Sequence, residues 1–387
     1  MTGNELYIPY GRHWISDDDI ESVVDVLESD WLTQGPKIEE FEKEISAYCG
    51  SNYAVVFNSG TSALHAAFSV LRLNKDDEFI TTPNTFVATA NAGLHTGIKP
   101  IFVDIEEDTG NLNTSKVEER ITERTRLIVP VHYSGHPVDM GKIYEIAERK
   151  NLYVIEDACH ALGAKYKGYK TGGCNYSDMT VFSFHPVKHI TTGEGGAVLT
   201  NNKDFYKKLL MSRSHGIEKR SFINKPDGDW YYEMQSLGYN YRMTDIQAAL
   251  GISQFRKLDK FIDRRKEIAR LYDSEFKDNP WFDIPPVRSY ASSSYHLYPI
   301  RFKDGFKEKK KEIFLKLKEE KLGVQVHYIP VYWHPFYKNM GYKKGICPIA
   351  EDFYFKELSL PIYPAMKGEE QRYVIEGINT VMSGYAK

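Results

Sequence analysis

The sequence is poor in cysteine. Four occur in 387 residues, Cys49, Cys159, Cys174 and Cys347, and no two form a CxxC pair. That pattern suggests neither a disulfide framework nor a zinc site, and it fits a reducing compartment. Long apolar runs are missing as well. None approaches the ~18 residues of a membrane span, and the opening MTGNELYIPYGRHW has no apolar signal core. The expectation is a cytoplasmic protein with no membrane partner. Neither sign of charge is in excess, since the net charge is -3 and the pI about 6.5. This argues against nucleic acid as the main partner. There is no internal repeat and no low-complexity tract. No GKS or GKT follows a glycine-rich loop, and no GxGxxG follows the first strand pattern. A Walker loop and a dinucleotide fingerprint are therefore not expected. Missing ligand clusters speak against a zinc hydrolase, and no metal is expected.

What is present is an alternation. Short apolar runs stand at AVVF (54–57), FITT (79–82), PIFVDI (100–105), LIVPV (127–131) and YVIE (153–156). Helix-like segments at 62–71, 85–94 and 142–150 separate several of them. Continuous apolar runs suit strands buried on both faces. Strand–helix repetition implies right-handed crossovers and an α/β fold with a mostly parallel sheet. Ligands collect at the carboxyl ends of such strands. After about residue 250 the texture changes to a long charged helical stretch, a Pro/Ser-rich segment, a strand candidate YHLYPIRF and a basic helix KEKKKEIFLKLKEEK. A second, smaller α+β domain is expected there. The lysines at 307–311 read as a solvated helix face.

Three strand ends carry possible chemistry. After AVVF comes NSGTSALHAA, where Ser59-Gly60-Thr61-Ser62 opens a helix. Free N–H groups there can bind an anion, or Ser and Thr can simply cap the helix. After YVIE come Asp157, Cys159 and His160. An acid at this edge can hold a protonated pyridine nitrogen, or it can cap a helix. Beyond a further strand-like run, TVFSF, lies Lys188, which can form a Schiff base or stand in solvent. His185 and His189 flank it and read as packing or hydrogen-bonding residues. Phe86, in TTPNTFVATA, can stack on a flat ring or fill a core. The order of these features is more specific than any one of them.

That order resembles the pyridoxal-phosphate-dependent sugar aminotransferases of the DegT/DnrJ/EryC/StrS group, which have the aspartate aminotransferase fold (fold type I). The blocks LTQGPKIEEFE, NSGTSALHAA, TTPNTFVATANA, EDACHALGA, FSFHPVKHITTGEGGAV and GYNYRMTDIQAALG carry the resemblance, which spans nearly the whole chain. Within the group, SYHLYPI, VQVHYIPVY and AEDFYFKELSLP are most similar to the subfamily of pseudaminic acid biosynthesis. That subfamily has HAIKP where this chain has HPVKH. It uses L-glutamate, leaving 2-oxoglutarate, to aminate C4 of a UDP-linked 2-acetamido-2,6-dideoxy-4-keto-hexose. The product is UDP-4-amino-4,6-dideoxy-N-acetyl-β-L-altrosamine.

The resemblance implies roles residue by residue. Lys188 forms the Schiff base, Asp157 pairs with the pyridinium nitrogen, Phe86 stacks on the ring and His160 sits beside it. Gly60, Thr61 and Ser183 hold the phosphate of the cofactor, pyridoxal 5'-phosphate. Asn240 reaches that phosphate from a neighbouring subunit, which implies a homodimer with shared active sites. Tyr10, the turn Asp30-Trp31-Leu32-Thr33, and Gln325-Val326-His327-Tyr328 line the nucleotide-sugar pocket, with His215 or Arg242 as candidates for the diphosphate. The implied layout is an N-terminal arm over residues 1–13, a large cofactor-binding domain over 14–250 and a small C-terminal domain over 251–387. Sugar 3-dehydrases of the same fold have histidine at the Schiff-base position. Lys188 at that place implies transamination. Alternatives are another 4-keto sugar (a UDP-bacillosamine precursor, UDP-4-keto-arabinose or a dTDP-4-keto-hexose) or a non-catalytic regulator, and the regulator reading predicts loss of Lys188 or Asp157.

Overall fold

The computed structural model describes residues 7–385, so residues 1–6 of the expected arm lie outside the described part. Its main sheet has seven strands: β1 (Tyr53–Phe57), β2 (Glu78–Thr81), β3 (Lys99–Phe102), β4 (Thr125–Val129), β5 (Tyr153–Asp157), β6 (Met179–Ser183) and β7 (Gly196–Thr200). Their order is β1-β7-β6-β5-β4-β2-β3. In this sheet β7 runs antiparallel to β1 and β6, and the remaining pairs are parallel. The apolar runs read from the sequence fall on these strands. The longest, at 100–105, leaves the sheet after Phe102. β4 stops at Val129, where Pro130 has no N–H for the ladder.

Side chains alternate across a strand, and here both sides are covered. Val55 and Phe57 meet Ala63, Ala66 and Phe68 of the helix Gly60–Val70 on one face. Ala54 and Val56 meet Phe41, Ile45, Phe182 and Leu199 on the other. That is why the strands read as unbroken apolar runs. Burying a phenylalanine such as Phe57 or Phe182 fully contributes roughly 1.5–3 kcal/mol, and neither exposes any surface.

A second core lies around a three-stranded antiparallel sheet, Phe282–Asp283, Tyr298–Phe302 and Glu357–Leu360. Ile268, Tyr272 and Phe276 pack there with Ile313, Leu317, Val374 and Ile378. Ile8 of the N-terminal arm joins this core and pairs with Leu322. One helix, Leu258–Phe276, belongs to both cores. Leu258, Phe261 and Ile262 face the main core, and Ile268 and the residues after it face the second. Between them Arg265 is wholly buried, and its Nη1 donates to the carbonyls of Tyr295, His296 and Ile362 at 3.1, 3.2 and 3.0 Å. The chain then returns to the main unit, where Val331, Tyr332, Tyr337 and Phe353 pack against Phe102 and Tyr133. Among the described residues no helix is long and apolar enough to cross a membrane.

Candidate active site

The carboxyl ends of β5 and β6 and the helix after β1 meet at a cavity of about 480 Å³. Gly60, Thr61, Phe86, Asp157, His160, Ser183 and Lys188 line it, with Tyr10, His327 and Tyr328 at the far end. A larger open groove of about 1240 Å³, beside Arg12, Trp14, Arg264 and Met366, holds none of these groups.

The helix start shows the capping that its sequence suggests. Ser59 Oγ accepts the N–H of Ser62 at 3.0 Å, and Ser62 Oγ accepts the N–H of Ser59 at 3.1 Å. The first-turn N–H groups of Gly60 and Thr61 have no protein acceptor among the described residues, and both residues line the cavity. Close packing explains two glycines. A Cβ on Gly60 would stand 2.8 Å from Ser183 Cβ, and one on Gly196 would stand 2.7 Å from the Ser59 carbonyl oxygen. The glycine-rich turn therefore lets the helix N-terminus press against the end of β6, which sets the Ser183 hydroxyl beside it.

Asp157 ends β5 and is nearly buried. Thr89 Oγ1 donates to its Oδ2 at 2.6 Å and the Cys159 N–H to its Oδ1 at 3.2 Å. Thr85 stands 2.8 Å behind Thr89. Burial pushes the Cys159 thiol well up, so it is no nucleophile at neutral pH. Lys188 follows β6 on a turn closed by its N–H donating to the His185 carbonyl at 2.8 Å. Burial lowers its pKa, partly opposed by Cys159 and Asp157. Phe86 leaves 59 % of its surface exposed, facing the cavity with its ring centroid 6.5 Å from that of Tyr328. His160 is buried beside Lys188, with its Nε2 3.1 Å from the Tyr328 hydroxyl. Burial first, then the Lys188 charge, drives His160 well below its usual value. The ring is neutral.

Not every expected residue reaches the cavity. Gln325 and Val326 stop short of it, while His327, Tyr328 and Tyr10 line it. The turn Asp30–Thr33 is exposed and pairs instead with Thr244 and Asp245, the Leu32 carbonyl accepting the Asp245 N–H at 3.0 Å. Asn240 is exposed, and its carbonyl accepts from Asn58 Nδ2 at 3.4 Å. His215 and Arg242 do not line the cavity. His189 is buried behind Lys188, its Nε2 3.2 Å from the Ser294 carbonyl. His185 is exposed at the cavity edge. Among the described residues no group of three or more His, Cys, Asp or Glu is placed to hold a metal. Three residues escaped sequence reading. Thr89 lies in the first turn of the helix Val87–Thr96 that Phe86 caps, three residues after Phe86. His296 packs on His160 with ring centroids 4.2 Å apart, and Glu194 lines the cavity, but neither has a local signal.

A model of the DegT/DnrJ/EryC1/StrS aminotransferase family matches residues 14–379. The chain belongs to this family. It is 40% identical over 383 residues to a UDP-4-amino-4,6-dideoxy-N-acetyl-beta-L-altrosamine transaminase of Campylobacter jejuni, covering 98% of this chain and 99% of that one. Among solved structures it is similar to Helicobacter pylori PseC, an aminotransferase involved in the biosynthesis of pseudoaminic acid. That match has a TM-score of 0.92 and 36% identity, covering 98% and 100% of the two chains. The putative sugar aminotransferase Spr1654 of Streptococcus pneumoniae, in its pyridoxal phosphate form, superposes with a TM-score of 0.92 at 32% identity, covering 98% and 99%. The protein is thus an aminotransferase of the pyridoxal-phosphate-dependent nucleotide-sugar class, with the fold those structures share. The donor set fits the cofactor: free N–H groups and a hydroxyl at one end, a held carboxylate and an amine at the other, and an exposed aromatic face between.

Proposed function

We propose that this aminotransferase moves the amino group of L-glutamate to C4 of a UDP-linked 2-acetamido-2,6-dideoxy-4-keto-hexose. The product is UDP-4-amino-4,6-dideoxy-N-acetyl-β-L-altrosamine. The 40% identity to an altrosamine transaminase over nearly the full length of both chains carries the choice of sugar. Lys188 and Asp157 on one cavity support the chemistry.

Bound pyridoxal phosphate supplies an electron sink that lets a proton leave the carbon bearing the nitrogen. The chain's own residues do the rest. Gly60 and Thr61 N–H groups and the Ser183 hydroxyl bind the phosphate, at a helix N-terminus suited to negative charge. The Asp157 carboxylate, kept in place by Thr89 and Cys159, holds a cationic N–H opposite it and keeps that nitrogen protonated. Phe86 covers one face of the ring. Lys188 Nζ would hold the cofactor's carbonyl end and, as a free amine, would accept the substrate proton and return it. Burial lowers its pKa, which raises the fraction of neutral amine available for that work. Neutral His160 fills the space beside it and orients the Tyr328 hydroxyl.

The active form is a homodimer in this reading. Ile223, Trp230 and Leu237 are each more than three-quarters exposed, a poor surface for an isolated chain. A partner packed there would also bring its Asn240 and its 30–33 turn towards this cavity. Four free thiols support a cytoplasmic location.

The test is a panel. Purified protein with pyridoxal phosphate and L-glutamate is offered the UDP-linked 4-keto-hexose, UDP-4-keto-arabinose and a dTDP-4-keto-hexose. The expected outcome is preferred turnover of the first, with 2-oxoglutarate released in equal amount. Preference for another sugar overturns the assignment.

A further inference from the structure

His327 faces the cavity in front of a short chain of polar groups that the transfer itself does not use. Its backbone N–H donates to Glu357 Oε2 at 2.7 Å, and its Nδ1 lies 2.9 Å from Ser359 Oγ. Ser359 Oγ in turn donates to Glu357 Oε1 at 2.5 Å. All three residues are buried. With Glu357 ionised, counting hydrogens fixes the direction of the chain. An ionised carboxylate only accepts, and a serine hydroxyl has one hydrogen to give. With that hydrogen on Glu357, Ser359 offers His327 only lone pairs, so the ring hydrogen sits on Nδ1. Burial, and then the Lys188 charge, pull the His327 pKa down to about 3, so the ring is neutral. Nε2 is then a bare acceptor with no partner among the described residues, in a ring that lines the cavity.

We propose that Glu357 is a positioning residue: through Ser359 it holds His327 in the Nδ1–H form, so that Nε2 accepts a hydrogen bond from a donor group on the keto sugar. The inference rests on the sugar reading above for its ligand and adds what sets the polarity of that subsite.

Protonation of Glu357 reverses the polarity. One proton taken up at Oε1 is donated to Ser359 Oγ, Ser359 turns its own hydrogen to Nδ1, and the ring hydrogen exchanges to Nε2. The subsite then donates where it had accepted. The groups facing Glu357 come from each element around it. Lys310, on the helix Lys310–Glu319, favours the ionised form and donates its Nζ to the Tyr354 carbonyl. The Tyr133 hydroxyl lies against the carboxylate and donates to the His327 carbonyl at 2.8 Å. Tyr328 feels the same charge. Arg301, its register partner on Tyr298–Phe302, turns to the Glu107 carbonyl and to Asp283. Burial pushes the Glu357 carboxyl above the usual range, against the pull of Lys310, Ser359, His327 and Tyr133. An acid limb above the usual carboxylate range follows.

The test uses the holoenzyme carrying Glu357→Gln. The amide oxygen must take the His327 N–H, which turns the NH2 towards Ser359 and mimics the protonated acid. Ring-nitrogen NMR of 15N-histidine-labelled protein reads the tautomer, with signals assigned by their loss in His327→Gln. The half-reactions with L-glutamate and with the UDP-linked 2-acetamido-2,6-dideoxy-4-keto-hexose are followed separately. The expected result at about pH 9, where Glu357 is ionised, is Nδ1–H in the parent and Nε2–H in Glu357→Gln. The sugar half-reaction should slow about tenfold, the worth of one reversed hydrogen bond, and lose its acid limb. The glutamate half-reaction should stay within about twofold. Ser359→Ala cuts the chain while leaving the carboxyl group in place, one donor short, and should give mixed tautomers and a smaller loss. An unchanged tautomer in both variants, or equal loss in both half-reactions, overturns the proposal. If the parent does not turn over this sugar, the sugar assignment fails, and the tautomers still decide whether the relay exists.

Discussion

At the Asp157 end of the cavity, Asp157, Ser183 and Lys188 sit at or just beyond the ends of main-sheet strands, and Asp157 is held by Thr89 and Cys159 beside it. At the Tyr328 end, the arm residue Tyr10 meets His327 with ring centroids 5.5 Å apart, and the supporting groups lie on the second sheet. The first end is assembled by the sheet topology and needs little beyond it. The second is assembled by segments more than 300 positions apart, and one chain leaves part of the expected set, Asn240 and the 30–33 turn, outside. Chemistry common to a family can rest on the sheet. Choice of sugar can vary on the segments without disturbing it.

Substitutions can sharpen or break that contrast. The largest effect belongs to Lys188→Ala, which removes both anchor and base. Turnover should fall at least about 10⁴-fold, measured as 2-oxoglutarate release, while the fold is kept by circular dichroism. Asp157→Asn comes next. An uncharged amide cannot balance a cationic nitrogen, and kcat should drop roughly 10²–10³-fold with little change in KM for the sugar. A similar loss from substituting Tyr10, at the other end, would break the contrast.

Acid is expected to act on both ends together. His160, His189 and His296 lie well below the ordinary value of 6.5, His136 at about 4 and His327 at about 3, all chiefly through burial. Depressed histidines contribute stability above their unfolded pKa and lose it as pH falls towards the folded one, because the unfolded chain then binds the protons. Between pH 7 and 5 each should cost about 2 kcal/mol. Tm should therefore fall steeply below about pH 6.5, and calorimetry that shows a flat Tm from pH 7 to 5 contradicts this. Phe86→Ala should weaken pyridoxal phosphate about tenfold in equilibrium dialysis by removing one stacked face. The smallest effect is expected of Asn240→Ala, about fivefold weaker cofactor binding. It should appear only at concentrations where dimers persist, and an equal loss in monomers would assign Asn240 to its own chain's site.

The strands were legible because burial on both faces leaves no polar alternation to confuse them. The helix start at Ser59–Ser62 was legible as a cap: the two serines cap each other. Thr89 and Glu357 were not. Each acts across a fold-level gap, Thr89 on Asp157 and Glu357 on His327, 68 and 30 positions away. The helix Leu258–Phe276 carries no glycine or proline to mark where it leaves one core for the other. A division of the chain at 250/251 therefore could not anticipate that Leu258, Phe261 and Ile262 belong to the main core, nor that residues 331–353 come back to it.

Arg265 gives that shared helix a thermodynamic meaning. Its guanidinium sits where the two cores touch, and its bonds reach carbonyls on either side of the Tyr298–Phe302 and Glu357–Leu360 strands. Pulling the main core away would open this buried cation to water, while its three carbonyl partners, all flanking the second sheet, would stay with it. Because the helix Leu258–Phe276 runs unbroken through both cores, heating the protein should show a single transition in which both are lost together.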